Sequence, residues 1–210
     1  MNARTLSLLA LPLLFASACV DDVGSGKVAA EVVEPTTQTQ SIQGRTLAVD
    51  TSRSRIHALG AKVTATHDIV FDDWSGALKL SGDDVVGIEA TVQMSSLRAD
   101  VDKLTAHLQS PDFFDVAQWP TATFASSRIA REAGPGGATH QVTGELTLRG
   151  TKKAIAFPAS VSTSGSDVTA KAEFVIDRRD FGVVYPGMPD DLIQDNVVLT
   201  IELTADRTAS

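Results

Sequence analysis

Cysteine is almost absent. The chain has one, Cys19, in 210 residues, so no internal disulfide can staple the fold and a buried core has to hold it. Aromatic residues are only 5%, which leaves few large rings to fill an interior. Basic residues are outnumbered, 18 Lys and Arg against 26 Asp and Glu, for a net charge of −8. That balance argues against a nucleic-acid or anionic-membrane surface role, because either favours a basic patch. No apolar run reaches the about 20 residues that a membrane-spanning helix needs. No repeat of solenoid period is visible.

Catalytic vocabulary is also sparse. The four His, at 57, 67, 107 and 140, lack ligand-type spacing, and no HExxH or CxxC is present. Ser95-Ser96 and Ser126-Ser127 lack a nucleophile-elbow context. Asp112 and Asp115 are better read as turn-capping groups than as an acid/base pair. No catalytic residue and no metal ligand is assigned.

The N-terminus has a clear pattern. Arg4, the apolar run Leu6–Phe15 and the small residues Ala16-Ser17-Ala18 form the three regions of a signal peptide over residues 1–18. Cys19 follows directly, as in a bacterial lipobox, where the Cys carries the lipid that anchors the mature chain to a membrane. Ala16 stands where Leu is usual, and Ala16-x-Ala18 also suits an ordinary signal peptidase. A lipoprotein facing the periplasm or the cell surface is expected, with secretion to the periplasm as the alternative. Residues 19–44 are rich in Gly, Ser, Thr and Gln and read as a lipidated N-terminus and flexible tether. Residues 45–206 suffice for one domain with its own core.

That domain alternates. Val86, Ile88, Ala90, Val92 and Met94 share one parity. So do Val142, Gly144, Leu146 and Leu148, then Ile155, Phe157, Ala159 and Val161. Val168, Ala170, Ala172, Phe174 and Ile176 follow, and Val197, Leu199, Ile201 and Leu203 close the series. Polar residues fill the intervening positions, which predicts half-buried antiparallel strands, about eight or nine in all. Small residues are mixed into the inward sets. A closed barrel lined by Ala and Gly would be under-filled without an apolar occupant, whereas a sandwich could use them for close sheet approach. Both readings fit the pattern.

One stretch breaks it. Val101, Leu104 and Leu108 have helical spacing, with His107 beside them. Pro111 ends the turn, and Phe113-Phe114 lies between Asp112 and Asp115. Two adjacent rings need a burial partner.

These residues carry a resemblance. His107-Leu108-x-Ser110-x-Asp112-Phe113-Phe114-Asp115 and Pro120-x-x-x-Phe124-x-Ser126 resemble segments of the YceI-like family of periplasmic polyisoprenoid-binding proteins. Gly144-Glu145-Leu146-Thr147-Leu148-Arg149-Gly150-Thr151-Lys152 and Arg179-Asp180-Phe181-Gly182 resemble two more, in the same order. The resemblance implies an all-β fold: a lipocalin-like eight-stranded antiparallel barrel with a short helix near one mouth. It also implies an isoprenoid-type lipid as ligand, with no other cofactor, and is compatible with a homodimer.

If the lumen holds such a chain, the inward sets supply the tunnel: Val86, Ile88, Ala90, Val92, Met94, Val142, Leu146, Leu148, Ala170, Ala172, Phe174, Ile176, Leu199 and Ile201. Arg98, His107 and Arg179 are candidates for the polar head group. The expected function is lipid binding for transport or storage in the cell envelope. A stress-response or interaction module with a structural lipid, and an enzyme acting on an amphiphile, are the alternatives.

Overall fold

Period-two patterning becomes strand wherever it was found. The computed structural model describes residues 21–34 and 43–208. In chain order the strands are β1 Glu31–Val33, β2 Arg45–Ala48, β3 Arg55–Lys62, β4 Ala65–Phe71, β5 Trp74–Ser81, β6 Asp84–Gln93 and β7 Leu97–Ala99. After the helix α1, Asp102–Gln109, come β8 Thr121–Arg131, β9 His140–Leu148, β10 Thr151–Ser164 and β11 Asp167–Asp177. The short β12 Gly187–Met188 and β13 Asp191–Leu192 precede the closing strand β14 Asn196–Asp206.

One antiparallel sheet runs β2-β5-β6-β8-β9-β10-β11-β14-β3-β4-β7 and curls on itself. Nine of these strands have seven or more residues, within the eight or nine read from the pattern and one more than the eight-stranded barrel that the resemblance implies. The sheet bends back at Val49, which bridges to Ala205 of β14. This end is packed shut by Leu47, Leu78, Leu80, Val85, Val142, Val168 and Ala205, all buried. At the opposite end lie α1, the 3-10 turn Arg178–Phe181 and the β12–β13 ribbon.

Turn chemistry sets the register. Arg149 and Gly150 both have positive φ, 50° and 70°, as a two-residue type I′ hairpin between β9 and β10 requires. The Trp119 ring lies against Gly150 where any Cβ would sit. A β-bulge shifts the β5–β6 register, pairing Lys79 with Gly87 but Leu80 with Val85. Val86 is therefore the extra residue, and Val85 is the one buried in the core.

Part of the segment read as tether is docked on the domain. β1 pairs with β10, Glu31 opposite Ala156 through Val33 opposite Ala154. Ala30 N–H donates to Val175 O at 2.8 Å, and Val175 N–H donates to Val28 O at 2.9 Å. Lys27 reaches Glu173 at 2.6 Å and Asn196 Nδ2 donates to Asp22 at 2.8 Å. The composition missed this because backbone groups, not apolar side chains, make most of the attachment. The signal peptide and Cys19 lie outside the described residues.

Candidate functional site

The lumen encloses a cavity of about 210 Å³ whose wall is almost wholly apolar. Apolar cavities of this order stay dry and accept apolar ligands. Its wall includes Ile88, Ala90, Val92 and Met94 of β6, with Leu146 and Leu148 of β9. Ala170, Ala172, Phe174 and Ile176 of β11 and Leu199 and Ile201 of β14 complete the inward sets named from the sequence. Two named residues are elsewhere. Val86 is displaced by the bulge, and Val142 is fully buried in the packed end.

Several wall residues escaped the tunnel assignment. Ile56 and Ala58 of β3 and Ile69 and Phe71 of β4 line the cavity, but their strands carry His and Asp that blur the alternation. Ala122 and Phe124 of β8 and Ile155, Phe157 and Ala159 of β10 also line it. The parity of the β10 set was read from the sequence, that of β8 was not; Phe124 lies over Gly144, where a Cβ would meet the ring at 2.5 Å. Phe113, Val183 and Ile193 come from loops, where no periodicity exists to read.

The helix end is built from rings and carbonyls. Leu108 and Phe113 are buried and Phe114 half-buried, and all three face the cavity. Val101, grouped with them by spacing, is the residue before α1 and is exposed. His107 stacks edge-on against Phe113 and Tyr185, with centroids 4.9 and 5.0 Å away. Its Nε2 lies 3.0 Å from Asp112. Arg149 ties two loops together, donating to Pro111 O and to Gly182 O, each at 3.0 Å. Its position beyond β9 and its left-handed backbone aim it there, and no sequence signal marked it.

A buried Arg was also missed. Arg178, beside the nominated Arg179, lines the cavity and is 7% exposed. It donates to the carbonyls of Gln194, Val183 and Ile193 and to Asp195 at 3.0 Å. Burial lowers its pKa, against the opposing pull of Asp195. Its donors are therefore engaged in holding the Val183–Asp195 strap across this end. Arg179 instead pairs with Asp177 at 2.7 Å and Asp195 at 3.0 Å on the surface. Arg98 pairs with Asp72 on the surface. Neither lines the cavity; of the three head-group candidates only His107 stands in the ring cluster at the helix end.

This arrangement can hold an apolar chain. Polar groups do not converge on its wall, and among the described residues no group of three or more His, Cys, Asp or Glu could hold a metal ion. Among those residues no helix is long and apolar enough to cross a membrane.

Residues 47–205 match a sequence family described as the YceI-like domain. Among curated relatives, a UPF0312 protein of Pseudomonas savastanoi pv. phaseolicola is 31% identical over 125 residues, covering 56% of this chain and 64% of that protein. A UPF0312 protein of Pseudomonas fluorescens is 28% identical over 137 residues, covering 61% and 70%. The first of these matches spans just under two thirds of the relative's length. The crystal structure of Burkholderia cenocepacia BcnA superposes with a TM-score of 0.65 at 25% identity, covering 75% of this chain and 99% of that one. A domain from Saccharophagus degradans described as polyisoprenoid binding gives a TM-score of 0.62 at 16% identity, covering 78% and 99%. That second likeness speaks to the fold.

Proposed function

Because the chain belongs to the YceI-like domain family, we propose that it binds an isoprenoid-type lipid in the barrel lumen and carries or stores it in the cell envelope. The observation that supports this most directly is the apolar cavity itself. A folded domain does not normally leave such space empty. An isoprenoid suits it because each five-carbon unit buried contributes roughly 4 kcal/mol, at about 0.8 per carbon, before the cost of ordering the chain. The wall holds no polar cluster that would recognise a hydroxyl or phosphate deep inside. The tail therefore occupies the lumen, and the head stays at the helix end near His107. The polyisoprenoid binding ascribed to the Saccharophagus degradans domain points the same way.

Filling the cavity tests the reading. Ala172→Leu adds three carbons to the wall from a half-buried, cavity-lining position. Uptake of an NBD-labelled farnesol, followed by fluorescence, should fall at least tenfold, with thermal stability kept or raised. Uptake equal to the parent protein's in a folded variant would contradict the assignment of the lumen.

The envelope location is part of the proposal. Cys19→Ser should move the protein from the membrane fraction to the soluble fraction. Retention in the membrane would contradict the lipid anchor.

A further inference from the structure

The ladder between β10 and β11 stops short. β10 and β11 pair from Ser164 opposite Asp167 to Ser160 opposite Lys171, and then the pairing stops. Pro158 stands two residues further along β10. It has no N–H to offer a ladder, and proline inside a sheet marks an edge or a break. Continuing the register would set Phe157 opposite Phe174, but these residues are not ladder partners.

Two devices close the resulting seam. Inside the lumen, the rings of Phe157 and Phe174 stack across it, with centroids 4.1 Å apart and planes 15° apart. On the backbone, the N-terminal segment fills it. β1 lies antiparallel to β10, while Ala29 bridges parallel to Val175 of β11. A strand inserted between two antiparallel strands must have this mixed relation. The segment also lies outside residues 47–205, the part matched to the family.

The attachment is light. Val32 is 52% exposed, and Glu31 and Ala29 are exposed as well. Ala30 is the residue of the segment that packs on the core. Backbone hydrogen bonds near solvent with little apolar burial open more readily than a packed strand. The two sides differ too: three register pairs join the segment to β10, while the β11 side has the single Ala29 bridge with its two backbone hydrogen bonds to Val175 and the solvent-exposed Lys27–Glu173 pair.

We infer that the ligand enters and leaves laterally, between β10 and β11, and that residues 28–33 are the removable strand that closes this route. The inference rests on the lipid-binding reading above. Parting the segment from β11 and separating Phe157 from Phe174 opens the cavity wall beside residues 154–157 of β10, while the ladder from Ser160 to Ser164 stays paired. A long chain can then slide in sideways and does not have to thread past the rings at the helix end.

The test is a reversible staple on the β11 side. Ala29→Cys with Val175→Cys, in a Cys19→Ser background, places two thiols at the bridged pair. A thiol count confirms the disulfide. Release of bound NBD-farnesol to acceptor vesicles of neutral phosphatidylcholine should slow at least tenfold in the oxidised protein and recover on reduction. Deleting residues 21–34 should speed release by a similar factor. Equal release from the oxidised and reduced forms overturns the lateral route, while bound probe in both forms leaves the lipid reading standing. Failure of the parent protein to take up the probe overturns the lipid reading and this inference with it.

Discussion

At the scale of single residues, burial and partners decide what each ionisable group does. His140 opens β9 and is buried, its Nδ1 2.7 Å from Thr139 Oγ1. Burial, with the nearby Arg131 charge, lowers its pKa below the ordinary value of 6.5. The unfolded chain therefore takes up the proton first as pH falls. The folded state has its full stability above about pH 6.5 and loses part of it as pH drops toward the folded value. His140→Gln should flatten this slope. Denaturant midpoints of the two proteins at several pH values between about 4 and 8 check it, and parallel curves would contradict the role given to His140.

Charged residues at the helix end show the same logic. Arg179 holds the Asp177 carboxyl below the usual range, and Lys62 with Thr64 does the same for Asp191. Asp191 thereby ties the β12–β13 ribbon to the β3–β4 turn, and its ion pair with Lys62 needs it ionised. Its depressed folded pKa means the tie is present above about pH 4 and is lost as pH falls through the folded value.

At the scale of elements, turns and breaks shape the site more than the strands do. The Arg149–Gly150 hairpin carries the clasp between the Pro111 loop and the Arg178–Phe181 turn. Gly150→Ala has to hold positive φ and push against Trp119, so it should cost at least about 1 kcal/mol of stability. Urea unfolding reads this directly, and an unchanged midpoint would contradict the packing described.

Strands were the most legible elements. The inward parity of β6, β9, β11 and β14 was visible because a half-buried strand repeats its burial every second residue. Where a bulge inserts one residue, parity flips, and Val86 was misplaced for that reason. Loop residues such as Val183, Ile193 and Arg178 carry no period, so their place on the cavity wall depends on the fold alone. β1 was invisible for a third reason: its pairing depends on a gap left by Pro158 in another strand. Val175 exposes both an N–H and a C=O toward that gap, and residues 28–30 satisfy them.

At the scale of the whole molecule, the chain is an acidic barrel packed at one end, with an apolar lumen toward the other. Its wall is thin in chemistry and rich in small and branched apolar groups. That suits a ligand recognised by shape and water exclusion. The fold and the lumen belong to the family domain, whereas the seam strand comes from the chain preceding it. Family membership explains the container, and the residues before it are assigned to control of exchange.

An isoprenoid-type lipid held in the lumen should come away with the purified protein. Native mass spectrometry of the protein purified without detergent from the cells that make it reads this. A mass excess of one lipid per chain is expected, released into organic solvent and fragmenting in five-carbon steps. A protein that carries no lipid, and that stays unliganded when incubated with polyprenol vesicles, would contradict it.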